Sequence, residues 1–159
     1  VPIQDRKWGE QSLAVYETLD SRLQHYLDRA LREVADISLV SGHRGQKEQN
    51  EAFDSGHSKV RWPDGNHNKL PSLAVDLQPY PYPRSTLKLH AALGYIAGRI
   101  IQRAAEDGIT IRWGGDWDKD GDTTDQKFDD LFHLEIVELP NAKTVRRTNA
   151  VRVTELSSA

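Results

Sequence analysis

The sequence predicts an α+β fold, a small and mostly antiparallel sheet flanked by helices, and three observations carry that expectation. Two long segments repeat apolar residues at helical spacing. Four short apolar runs, each of strand length, stand apart from one another. No regular strand–helix–strand alternation joins them, which argues against a parallel, doubly wound sheet. The 159 residues suit a single domain spanning 1–159.

Taken in order, the first helix is expected over about 19–34. Leu19, Leu23, Tyr26, Leu27, Ala30, Leu31 and Val34 line one face, with Asp20, Arg22, Asp28, Arg29 and Arg32 turned away. A β-type run, Ile37–Val40, follows and ends in Ser41-Gly42-His43-Arg44. A weaker helix is expected from Gln46 to Asp54, closed by Ser55-Gly56. Residues 57–72 are rich in Gly, Pro, Asn and Asp and read as a loop. Leu73–Leu77 is a compact strand that should halt at the Pro79-Tyr80-Pro81-Tyr82-Pro83 run, because proline cannot donate to a ladder. The longest helix is expected over about 86–107, with Leu89, Leu93, Ile96, Ile100 and Ala104 as its stripe and Gly108 as its C-cap. Ile109–Trp113 alternates as a strand, an acidic loop runs from Gly114 to Asp130, and a last strand covers 132–137. Residues 140–159 are weakly patterned, and they are expected to be loose or to pack late.

Composition excludes several function classes. The formal charge of −3 and the pI near 6.1 disfavour nucleic-acid binding, which needs a basic face; the densest basic run is Arg146-Arg147. No apolar stretch approaches the ~20 residues of a membrane span. The first residues, Val1 to Arg6, lack the charged-then-apolar pattern of a secretory signal. Cysteine is absent, so any transition metal must be held by histidine and carboxylate.

Two clusters carry candidate chemistry. In the first, Gly65 to Asp76, an acid at Asp76 interrupts an apolar strand, and an ionised carboxylate there needs a partner. Two readings stand: a bound cation, or a salt bridge or turn cap. In the second, Asp129 to Glu135, strand alternation puts His133 and Glu135 on one face and Phe132, Leu134 and Ile136 on the other. Asp130 sits three positions before His133, close enough for a base beside a metal ligand. His25 and His90 lie within helical patterns and read as surface or structural.

In order along the chain, Ser41-Gly42-His43-Arg44 with Gln49, then His67 to Ala74-Val75-Asp76-Leu77, then Asp130 with His133-Leu134-Glu135 resemble the D-Ala-D-Ala metallopeptidases. That family includes D,D-carboxypeptidases and phage L-alanyl-D-glutamate endopeptidases, and the fold it implies is hedgehog/D-Ala-D-Ala peptidase-like. Gly56-His57-Ser58 and Arg112-Trp113-Gly114-Gly115-Asp116-Trp117 add to the likeness, which covers about 37–137. The resemblance implies one catalytic Zn²⁺ held by His67, Asp76 and His133, Asp130 as the acid–base residue, and Arg44 facing the scissile carbonyl. It also implies substrate contacts from Gln49, His57 and Ser58. The stretch from His67 to Asp76 is longer than the family's usual spacing, so His57 and His43 stand as rival ligands. Aspartate at 130, where many members carry glutamate, favours the endopeptidase branch. The implied function is hydrolysis of bacterial peptidoglycan stem peptides by a monomeric endolysin made in a host cytoplasm. The alternatives are a D-alanyl-D-alanine carboxypeptidase and a non-catalytic, zinc-containing wall-binding module.

Asp116, Asp118, Asp120 and Asp122, with Gly121, match the first half of an EF-hand loop, but Lys127 holds the twelfth position, where a bidentate Glu is expected. Calcium and a solvated acidic loop are both open readings. Trp62, Trp113, Trp117, Tyr80 and Tyr82 are expected around the cleft, as groove lining or as packing.

Overall fold

The computed structural model describes residues 3–138, so the expectation for 140–159 lies outside the described residues. The described elements run α1 (Glu10–Tyr16), α2 (Ser21–Glu33), β1 (Ile37–Ser41), α3 (Gln46–Asp54), a 3₁₀ turn η1 (Asn66–Asn68), β2 (Ala74–Pro79), α4 (Thr86–Glu106), β3 (Ile111–Gly114) and β4 (Asp130–Ile136). The strands form one antiparallel sheet in the order β1-β2-β4-β3, so the fold is α+β as expected.

One sheet face is dry. Val75 and Leu77 of β2, Leu134 and Ile136 of β4 and Ile111 of β3 pack with Leu23, Leu27 and Leu31 of α2 and with Leu93, Ile96 and Ile100 of α4. Each such side chain contributes ~1.5–3 kcal/mol on burial, which holds the two helices against the sheet. Asp20 caps α2 by accepting from the Arg22 N–H at 2.9 Å. Ser85 caps α4, and Gly108 follows its C-terminus at φ +74°, the left-handed conformation that closes many helices.

Five elements differ from the sequence reading: β3 begins at Ile111 rather than Ile109, β4 begins at Asp130 rather than Phe132 and so includes the candidate base, and three further differences follow. Helix α2 begins at Ser21, because Leu19 instead bridges to Ser72. Helix α1 was not expected; it is short and buries only Ser12 along its length, so it has no apolar stripe to reveal it. Strand β2 runs through Pro79, which pairs with Ile37 of β1. Proline is tolerated there because β4 pairs with β2 only over Ala74–Asp76, leaving no ladder bond for Pro79 to donate on that side.

The ladder is irregular at one end. Its register shifts between Leu39 and Ser41, where Ser41 meets Asp76, and between Trp113 and Gly114, where Gly114 meets Asp130. Such shifts re-aim side chains, and both fall at candidate site residues. Gly114 is required by close approach, since a Cβ there would collide with the Asp130 carbonyl oxygen.

Candidate metal centre and active site

The face opposite the core gathers the polar side chains. Asp76 and His133 are direct cross-strand partners on β2 and β4, so their side chains emerge side by side. His67 comes from η1, which is docked by two bonds: the Arg44 N–H donates to His67 O at 2.8 Å, and His67 Nδ1 lies 2.6 Å from Gly42 O. Gly42 sits tight against Thr18 and Leu19, where a side chain would not fit. The extra residues between His67 and Asp76 bulge outward with Leu70 exposed, and the Leu73 N–H donates to Asn66 O at 3.1 Å to close the loop. The longer spacing therefore still brings His67 to Asp76.

Three ligand atoms converge. His67 Nε2 lies 3.2 Å from His133 Nδ1 and 3.3 Å from Asp76 Oδ1, and His133 Nδ1 lies 3.1 Å from the same oxygen. The outer ring nitrogens are both spoken for: His67 Nδ1 by Gly42 O, and His133 Nε2 by Glu135 Oε2 at 3.1 Å. If each outer nitrogen carries its proton, both inner nitrogens present lone pairs to each other and to a carboxylate oxygen. Such a buried cluster needs a proton or a cation at its centre. Burial opposes charge on His133, but its hydrogen bonds to Asp76 and Glu135 outweigh it and raise the imidazole to about 9. Burial likewise opposes ionisation of Asp76, yet its bonds to His133 and His67 hold it well below the usual carboxylate range. His67, Asp76 and His133 together could hold a metal ion. The rivals stand elsewhere: His57 is exposed beside Ser55 Oγ at 2.8 Å, and the His43 ring meets Lys69 O at 3.0 Å.

Behind this group stands Glu135, buried, whose role in the arrangement is the least visible in the sequence. It receives His133, the Asn66 side-chain N–H at 2.9 Å, and the Arg112 guanidinium, whose Nε donates at 2.8 Å. Asn66 precedes His67 and Glu135 follows His133, so one carboxylate ties both histidine-bearing segments. Burial works against its ionisation, but His133 leads the groups that bring it down to about 2. In the sequence Glu135 shows as the residue two positions after His133, on the same strand face and within the His133-Leu134-Glu135 motif, but its partnership with Asn66 and Arg112 does not.

A cleft of about 390 Å³ opens over the cluster, lined among others by Arg44, His57, Lys59, Trp117, Phe128 and Asp130. Asp130 is pushed above the ordinary carboxylate range, first by burial and then by the charge of Asp76. Arg44 donates to Ser41 Oγ at 3.0 Å and to Asp76 Oδ2, leaving Asp76 Oδ1 for the histidines. Gln49 and Ser58 also border the cleft, but their polar atoms serve the protein. Gln49 donates to Ser58 Oγ at 2.9 Å and Val60 O at 2.6 Å and accepts from Asn68, which holds the rim loop.

Of the aromatic residues, Trp117 alone among those expected lines this cleft, stacked 6.3 Å from Phe128. Trp113 packs on the core, and Tyr80 and Tyr82 are exposed beyond the far end of β2. In the acidic loop Asp116, Asp118 and Asp120 converge, whereas Asp122 accepts from Thr124 N and Oγ1. No described helix is long and apolar enough to cross a membrane.

The family model for phage L-alanyl-D-glutamate peptidases matches residues 5–137. Among solved structures, the L-Ala D-Glu endopeptidase ChiX of Serratia marcescens superposes with a TM-score of 0.64 at 21% identity, covering 84% of this chain and 92% of that one. At that identity the likeness is one of fold. No curated protein matches the sequence significantly.

Proposed function

The chain belongs to the phage L-alanyl-D-glutamate peptidase family, and from that premise we propose that it is a zinc-dependent endopeptidase of the endolysin type. It hydrolyses the L-alanyl-D-glutamate bond of bacterial peptidoglycan stems, reaching the wall from a host cytoplasm once the membrane is breached. The observation that carries the reading is the triangle of His67 Nε2, His133 Nδ1 and Asp76 Oδ1, with sides of 3.1–3.3 Å. Four ligands ~2.0–2.1 Å from a tetrahedral zinc lie about 3.3 Å apart, and two imidazoles with one carboxylate leave a fourth position open for water. The donor set and its spacing thus fit zinc.

When bound, the metal supplies a Lewis acid and a water that ionises near neutral pH. The chain's own groups do the rest. Asp130, its carboxyl group raised by burial and by the charge of Asp76, takes the proton of the attacking water and delivers it to the leaving amine. Arg44, oriented by Ser41 and Asp76, presents guanidinium donors to the oxyanion that forms at the scissile carbonyl. Glu135 keeps the His133 ring in the tautomer that offers Nδ1 inward. Trp117 lies 5.3 Å from the His133 ring and shields that side from water. Calcium is no part of this proposal.

Zinc analysis coupled to activity tests it. One zinc per chain, loss of peptidoglycan cleavage on chelation and recovery on adding zinc are expected. A chain that cleaves at full rate with no metal would refute the reading.

A further inference from the structure

Arg44, Lys59 and Arg112 are the cations that line the cleft. Arg44 is bonded to Asp76 of β2 and, on the reading above, serves the scissile carbonyl. Arg112 comes from β3 and touches two neighbours of His133. Its Nε donates to Glu135 Oε1 at 2.8 Å, and its Nη2 donates to the same oxygen. Its guanidinium also lies 5.3 Å from the Trp117 ring, which in turn lies 5.3 Å from the His133 ring. Lys59 belongs to the other end of this Trp117–Phe128 wall: its ammonium sits 4.7 Å from the centre of Phe128, which stacks on Trp117.

Glu135 and Trp117 fix the plane of Arg112 without using all its donors. A guanidinium carries five N–H groups, and Glu135 takes only those of Nε and Nη2. Among the described residues Nη1 has no hydrogen-bond partner, and the side chain, 33% exposed, lines the cleft. The strand order sets which end of the substrate meets it. Strand β4 separates β2, whose Asp76 holds Arg44, from β3, which carries Arg112. Asp130, the group that delivers a proton to the leaving amine, pairs with Gly114 of β3, two residues or ~7 Å along the strand from Arg112. The carbonyl side of the scissile bond therefore faces Arg44, and the amine side faces Arg112. In an L-alanyl-D-glutamate bond that amine belongs to a glutamyl residue with two carboxyl groups. The stem continues through the side-chain one, and the other is free on the carbon that bears the scissile nitrogen. Two bonds, ~2.5 Å, separate its carbon from that nitrogen, so the substrate brings an anion directly beside the metal-binding group.

Resting on the peptidase reading above, we propose that Arg112 is the specificity residue for this free carboxylate, which it binds through Nη1 while Nε and Nη2 stay on Glu135. The enzyme thereby prefers stems in which the carboxyl group is unmodified over stems in which it is a carboxamide. An amide offers the guanidinium no charge and turns N–H groups of its own toward the donors, so the charge-assisted bond weakens. The fixed, planar fork of Arg112 suits a carboxylate better than a mobile ammonium does.

Two synthetic stem peptides that differ only in this group, acid or carboxamide, provide the test. The wild-type enzyme is expected to favour the acid about tenfold in kcat/KM. Arg112→Gln should bring that ratio near one, Arg112→Lys should keep part of it, and Lys59→Gln should leave it at the wild-type value. Arg112 also steadies Glu135, so its variants can lose zinc or turn over slowly. The acid-to-amide ratio within one variant does not depend on how much of that protein is active, and it separates a lost subsite from a weakened centre. Equal cleavage of both peptides by the wild type, or a ratio that survives Arg112→Gln, would overturn the subsite and leave the peptidase reading standing. A ratio lost in Lys59→Gln alone would overturn it as well. Cleavage of neither peptide by the wild type would sink the peptidase reading, and the subsite with it.

Discussion

Two regions of this molecule gather possible metal-ligating groups around a point, and they are built in opposite ways. The His67–Asp76–His133 group is buried, comes from three separate elements, and has its outer atoms held by Gly42, Glu135 and Arg44. The Asp116–Asp118–Asp120 group comes from a single loop, and two of its three members are exposed. Its neighbours satisfy themselves locally: Asp120 Oδ1 accepts from Asp122 N and Asp122 Oδ1 from Thr124 N, both at 2.8 Å. The first group has no relaxed arrangement without a proton or a cation at its centre, whereas most of the second is content in water. The number of carboxylates does not mark a metal site; the protein's investment in holding the ligands does.

The sharpest way to break this contrast is to remove a buried ligand. His133→Ala or Asp76→Ala is expected to abolish zinc binding and to lower peptidoglycan cleavage by roughly 10⁴-fold or more, since the Lewis acid and its activated water are lost together. Retained zinc stoichiometry in either variant would mean that the ligand set is misassigned. Asp130→Ala comes next. A drop in kcat of about 10²–10⁴-fold with zinc content unchanged is expected for loss of an acid–base group. Parallel metal analysis separates that outcome from a structural collapse.

Smaller effects probe the supports. Glu135→Ala should weaken zinc affinity about 10–100-fold by chelator competition, the usual effect of losing a partner that orients a ligating histidine. Glu135→Gln should fall between it and the wild type, because its amide oxygen still accepts from His133. Identical zinc affinity in all three proteins would show that the Glu135 hub acts on packing alone. The smallest effect belongs to the acidic loop: Asp118→Ala should leave zinc content unchanged and alter stability by no more than about 0.5 kcal/mol. Asp116 is the one member of the loop that resembles the buried group, with Oδ2 taken by Gly121 N at 3.1 Å and Oδ1 buried without a hydrogen-bond partner. With Lys127 where a bidentate Glu would complete the shell, calorimetry should find calcium affinity no tighter than about 10⁻⁴ M. Micromolar calcium binding would erase the contrast between the two regions.

Legibility in the sequence follows the same division. Helices α2 and α4 and the strands β1, β2 and β4 were readable because each carries a periodic apolar pattern that ends in a buried face. Asp76 stood out as an acid in an apolar strand, and alternation placed His133 on the polar face; their pairing across the ladder needed the sheet order. His67 was harder, since its approach depends on a bulging loop closed by a backbone bond from Leu73 to Asn66 that no local pattern encodes. The Glu135 hub joins Asn66, Arg112 and His133 from three distant segments, and the Trp117–Phe128 wall with Lys59 joins two loops. Long-range contacts of that kind leave no periodic trace.

Mass spectrometry of muropeptides released from purified peptidoglycan by the zinc-loaded protein reads the cleaved bond itself. Stems severed once, between L-alanine and D-glutamate, with the new amine on the glutamyl residue, are expected. Loss of a terminal D-alanine instead, or intact stems in the presence of bound zinc, would contradict the proposed function.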